Sequence, residues 1–177
     1  MRLVLDGATI TSDSGAAIAV TKAGKVVVIL ADGSTSTLAD TRSYAKDADV
    51  NAALYSAADL TIAGNGTLVV HGNGNDAIAS KDGLVIGAGT VTVEAVDDGI
   101  RGKDYLLVSG GAVTVTAGGD GLKADNTDDA AAGYVAVTGG TVKVTAKGDG
   151  VDASTDLVVT GGCLLAGHMA DGRLVPV

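Results

Sequence analysis

Five aspartates recur at one place in a repeated phrase. Asp76-Ala-Ile-Ala-Ser, Asp98-Gly-Ile-Arg-Gly, Asp120-Gly-Leu-Lys-Ala, Asp149-Gly-Val-Asp-Ala and Asp171-Gly-Arg-Leu follow at spacings of 22, 22, 29 and 22 residues. More acid stands close by: Asp97 precedes Asp98, Asp104 lies six after it, and Asp152 lies three after Asp149. Carboxylates that return to one structural position repel one another and call for a cation. Calcium takes six to eight hard oxygen ligands in forgiving geometry. Asp97, Asp98, Asp104, Asp120, Asp125, Asp149 and Asp152 are therefore the candidate metal ligands. The competing reading is structural: Asp-Gly is a turn dipeptide, and its carboxylate caps nearby backbone N–H groups.

Two further pairs share the repeat. Arg101 and Lys123 each stand three residues after their aspartate. They either balance the acid or hold an anionic sugar, and either is a candidate base for uronate β-elimination, in which calcium acidifies the proton removed. Tyr105 and Tyr134 occupy equivalent places and either stack on sugar rings or fill the corner beside them. The coil that starts at Asp120 carries seven extra residues, assigned to a protruding acidic loop at about 124–133. Its Asp125-Asn-Thr-Asp-Asp run has the look of half a calcium loop, without the glycine and distal glutamate of an EF-hand.

A period in the twenties is the mark of a solenoid, whose coils cannot bury their apolar faces alone. Alignment on the phrase gives three short strands per coil. The first carries Ile18, Leu54, Ile78, Ile100, Leu122 and Val151; the second includes Leu84/Ile86 and Leu106/Val108; the third includes Val91/Val93 and Val113/Val115. Alternation such as Thr90-Val91-Thr92-Val93 is the strand period. Glycines such as Gly110 and Gly111 punctuate the corners. About 22 residues per coil leave no room for a helix. The expectation is an all-β, right-handed, single-stranded parallel β-helix, one domain over residues 1–177 with regular coils from about residue 51. The polar stretch from Asp40 to Asp49 reads as a corner loop, and Asp171 to Val177 reads as the start of another coil. No amphipathic capping helix marks either end, so head-to-tail stacking of copies is one expectation.

Composition narrows the partners. The net charge of −9 excludes phosphate-driven nucleic-acid binding and disfavours anionic membranes. No apolar run is long enough to insert into a bilayer. Met1-Arg-Leu-Val-Leu begins like a signal peptide, but Asp6-Gly7 ends its apolar run early. Cys163 is the single cysteine, so no disulfide framework exists within the chain. Outward threonines such as Thr90 and Thr92 are accounted for by strand propensity.

Asn51-Ala-Ala-Leu-Tyr-Ser, Leu60-Thr-Ile-Ala-Gly-Asn-Gly-Thr-Leu-Val-Val, Asp97-Asp-Gly-Ile-Arg-Gly-Lys-Asp and Gly118-Gly-Asp-Gly-Leu-Lys resemble the bacterial carbohydrate-binding domain first described in cellulolytic clostridia. The resemblance covers about residues 2–165. It implies an extracellular or surface-attached β-helix similar to pectate lyases, which binds calcium and cellulose or pectic polymers. On this resemblance Asp98, Asp120 and Asp149 match the family's repeated motif. The chain has no Trp or Phe, which favours an acidic, calcium-bridged glycan over crystalline cellulose. A non-catalytic calcium-dependent polysaccharide binder is thus expected, with a fibre-forming subunit and a polyuronate lyase as alternatives.

Overall fold

A computed structural model describes residues 1–170 and 173–176; Asp171 of the repeated phrase lies outside the described residues. All regular structure among them is β, in short strands that form three sheets. Sheet 1 has seven strands, from Arg2–Leu5 to Leu157–Val159. Sheet 2 has eight, beginning at Thr9–Thr11, and sheet 3 has six, from Ile18–Val20 to Val151–Ala153. The chain visits the sheets in the order 1, 2, 3 on every coil, and each strand pairs in parallel with its counterpart one coil on. This is the parallel β-helix that the period demands.

The register follows the aligned repeats. Ile18, Leu54, Ile78, Ile100, Leu122 and Val151 pair in one unbroken column of sheet 3. The members from Leu54 to Leu122 are at most 1% exposed. Stacked with them inside are Leu84 and Leu106 of sheet 1 and Val91 and Val113 of sheet 2. Burial of such side chains contributes about 1.5–3 kcal/mol each, so every coil is held by the two it touches.

The corner between sheets 1 and 2 is made by glycine for two reasons at once. Gly111 has φ +82°, and a Cβ there would sit 2.5 Å from the Gly89 carbonyl oxygen on the coil below. Gly140 repeats this one coil later, with φ +79° and the Gly111 oxygen at 2.5 Å. An L side chain meets a disfavoured backbone region and a backbone clash together.

The strands before residue 51 join the same sheets across longer connections: Arg2 pairs with Val27 and Ile18 with Leu54. One expectation changes: the final segment does not begin another coil. Arg173–Pro176 turns back and pairs antiparallel with Gly167–Ala170, which blunts the end of sheet 2.

Candidate functional site

The corner between sheets 2 and 3 carries Asp76, Asp98, Asp120 and Asp149 on successive coils, as the repeat requires. Two of these carboxylates bond the next coil: Asp98 Oδ1 accepts the backbone N–H of Asp120 at 2.9 Å, and Asp120 Oδ1 accepts that of Asp149 at 2.8 Å. Asp98 and Asp120 thus staple coil to coil.

Their second oxygens, and the Asp76 carboxylate, meet two basic side chains that are register partners on the outer face of sheet 3. Lys123 Nζ lies 2.6 Å from Asp120 Oδ2, 3.3 Å from Asp98 Oδ2 and 3.3 Å from Asp152 Oδ2. Arg101 grips Asp76 through Nη2 at 2.8 Å and Nε at 2.9 Å. It also reaches Asp125 Oδ2 at 3.4 Å and Asn51 Oδ1 at 3.3 Å. An ammonium and a guanidinium thus lie among the aspartates, because a long side chain three residues past one aspartate can span to the neighbouring coils.

Electrostatics follow the burial. Desolvation pushes Asp76 up to about 6, against the opposing pull of Arg101. Asp98 is also raised by burial, and Asp152 likewise. Burial pulls Asp120 up too, but its bond to Lys123 and the Asp149 N–H outweigh it and hold the carboxyl below its ordinary value. Lys123 loses solvent, yet Asp120 and Asp98 push its ammonium far above the ordinary lysine range.

The corner between sheets 3 and 1 is the second acidic edge. Asp59, Asp82 and Asp104 line it, and none of the three forms an ion pair among the described residues. Burial and then the like charges of Asp104 and Asp59 raise Asp82. Asp104 accepts a hydrogen bond from Asn126 at 2.6 Å. Asn126 also closes the inserted loop, its Oδ1 accepting the N–H groups of Asp128 and Asp129. The neighbouring Asp125 Oδ1 is a buried oxygen with no hydrogen-bond partner. Hard oxygens and one orphaned acceptor fit calcium in kind. No three acidic, histidine or cysteine groups among the described residues converge closely enough to hold a metal unaided. Any ion here would need oxygens from water or ligand.

Tyr105 and Tyr134 border this edge, directly paired in sheet 1. Their rings stack at 5.5 Å and 11°. Tyr105 lies over Gly83, where a Cβ would come within 2.2 Å of its Cζ. The sequence therefore brings together the expected pairs, Arg101 with Lys123 and Tyr105 with Tyr134. It does not bring Asp97 or Asp149 into an ion pair: Asp97 and Asp149 are exposed on the outside of the first corner. Asn51 and Asp59 carry no repeat signal and emerge only from the folded register. Asp59 accepts the Gly83 N–H at 3.1 Å.

This three-sided parallel β-helix has a polysaccharide lyase-like fold. The solved polysaccharide lyase-like protein from C. thermocellum, a gadolinium derivative, superposes with a TM-score of 0.85 at 36% identity. The match covers 92% of this chain and 77% of that one. The family described as carbohydrate-binding domain-containing protein matches residues 1–172, and the chain belongs to it. A curated member from Acetivibrio thermocellus is 43% identical over 97 residues, 52% of this chain. The match spans only about a third, 34%, of that relative's length.

Proposed function

We propose that the protein is a non-catalytic polysaccharide-binding β-helix, secreted or held at the cell surface, that takes an acidic glycan with calcium as a bridge. The observation that carries the non-catalytic part is the triple pairing of Lys123. A lyase base must be unprotonated near working pH, and this ammonium is stabilised far from that state. Arg101 is equally committed, to Asp76 and Asp125.

The calcium part rests on the edge between sheets 3 and 1. Asp82 and Asp104, completed by oxygens of water and of the glycan, would hold the ion, which supplies positive charge toward a glycan carboxylate. Retardation in a polygalacturonate gel is expected with calcium and not with chelator, with no ultraviolet-absorbing unsaturated product. Unsaturated product would establish a lyase, and unretarded protein in calcium would defeat the calcium-bridged reading.

One observation favours a second reading, an end-stacked fibre. Leu157, Val159 and Leu165 are about half exposed on the last coil. Beside them is a hollow of about 430 Å³ lined by Val151, Leu157 and Leu164. The antiparallel turn of Arg173–Pro176 weighs against it by closing one of the three sheet edges. A monodisperse monomer at high concentration with calcium would count against the fibre.

A further inference from the structure

The outer face of sheet 1 is apolar where the other two faces are not. Parallel register sets Arg2, Val27, Thr61, Val85, Leu107, Ala136 and Val158 in one outward column, apolar from Val85 onward. Their sequence neighbours Leu84, Ile86, Leu106 and Val108 are fully buried on the inner side. Strands such as Leu84-Val85-Ile86 and Leu106-Leu107-Val108 are therefore continuous apolar runs. Such runs mark parallel strands that are covered on both faces. Sheet 2 alternates instead, with Thr92, Thr114 and Lys143 in one outward line. On sheet 3 the outward Tyr55 and Ala79 are buried in a side cluster with Val50 and Ala57, and the next two places hold Arg101 and Lys123. Sheet 1 alone has the sequence of a covered face, yet among the described residues Val85 and Leu107 stay part-exposed and Val158 is 41% exposed.

The borders of the strip say what covers it. One border is the Tyr105–Tyr134 stack with Asp59 beside Gly83. The other is the exposed line of Ser109, Thr138 and Thr160, at the ends of the same strands. From Val85 to Val158 an apolar centre one side chain wide lies between a carboxylate-and-aromatic rim and a hydroxyl rim, whereas on the first coils Val4, Ile29 and Ala63 continue the second line and widen it. The narrow strip is roughly 13 Å across and roughly 14 Å long at 3.3 Å per residue and 4.8 Å per strand. A protein partner seats a broad apolar core inside a polar rim, and the single column of the later coils is too narrow for that. An extended β-linked glycan has the complementary form: flat rings with apolar C–H faces, and hydroxyls along both edges.

We propose that the outer face of sheet 1 seats such a glycan chain along the helix axis, ring faces on Val85 and Leu107 and hydroxyls on the two rims. This rests on the polysaccharide-binding reading and places the contact on a face distinct from the Asp98–Asp120 corner. The aliphatic side chains are fixed in the sheet, so little order is lost on binding.

The test is affinity electrophoresis in hydroxyethylcellulose, a neutral β-linked glucan that needs no calcium bridge, with thermal melts alongside. Leu107→Asp is expected to lose roughly tenfold in affinity, equivalent to about 1.4 kcal/mol, with an unchanged melt. Thr92→Asp on sheet 2 is expected to bind as the wild type does. If Leu107→Asp does not fold, the milder Leu107→Ser and Val85→Ser read the same face. Undiminished binding by folded sheet 1 variants, with wild-type binding intact, overturns the seat alone. Failure of the wild type to bind neutral or acidic polysaccharide overturns both the seat and the function. A wild-type dimer that Leu107→Asp turns into a monomer, with binding unchanged, would assign the face to a second copy and overturn the proposal.

Discussion

The corner at Asp98 and Asp120 and the outer face of sheet 1 are opposites. The corner holds the densest charge in the repeat, and its ionic groups are spent on one another: Lys123 with three aspartates, Arg101 with two. Sheet 1 carries little charge beyond Arg2 at one end of its column, and Val85, Leu107 and Val158 of that column stay at least part-exposed. The difference teaches that recurring charge in a solenoid can be a staple between coils. The surface left for a ligand is the one whose needs the chain itself does not meet.

The largest expected effect breaks the corner. Arg101→Met leaves the Asp76 carboxylate, 2% exposed, without its counter-charge. Loss of one partner of a buried pair costs about 3–5 kcal/mol, read as a fall in denaturation midpoint at pH 7.5. The sign with pH is fixed by Asp76. Its folded pKa of about 6 lies above the ordinary carboxylate value, so the group's penalty is present above pH 6 and fades as pH falls toward 4. The Arg101→Met deficit should therefore shrink at pH 5. An equal deficit at both pH values would contradict a buried carboxylate.

Lys123→Met should cost less, about 1–2 kcal/mol, because this pair is nearer solvent. It leaves Asp98, Asp120 and Asp152 converging on an empty point. Added calcium should then raise the melting temperature of the variant more than that of the wild type, since a ligand of the native state stabilises it. Equal calcium response in both proteins would show that the ammonium does not stand in for a metal.

On the other region, Gly83→Ala should displace Tyr105, whose Cζ would lie 2.2 Å from the new Cβ. The expected readouts are a changed near-ultraviolet tyrosine signal, a several-fold loss of glycan affinity and a stability loss of about 1 kcal/mol. Smallest of all is Thr92→Glu on sheet 2, expected within about 0.5 kcal/mol of the wild type and with unaltered binding.

The coils were legible because alternation and period survive in the residues themselves. The column from Ile18 to Val151 is read directly from the repeat and pairs so in sheet 3. The grouping of Arg101 and Lys123 with the aspartates was legible for the same reason. Which cation satisfies the aspartates was not, because Lys123 serves Asp98 on one coil and Asp152 on the next, and that reach depends on three-dimensional register. Asn51 was hidden because it meets Arg101 across 50 positions with no repeat to mark it. The sheet 1 face did leave a signal, the unbroken apolar runs at Leu84–Ile86 and Leu106–Val108 beside the alternating threonine strands. Such runs read equally as buried core until the outward side is known.

The most direct measurement compares Arg101→Met and Leu107→Asp in one affinity gel and one melt. The expected result is a double separation: Arg101→Met melts well below the wild type but, folded in the cold, is retarded by glycan as strongly. Leu107→Asp should melt with the wild type and run almost unretarded. The reverse pattern, binding lost with Arg101 and kept without Leu107, would place the ligand at the charged corner and contradict the assignment.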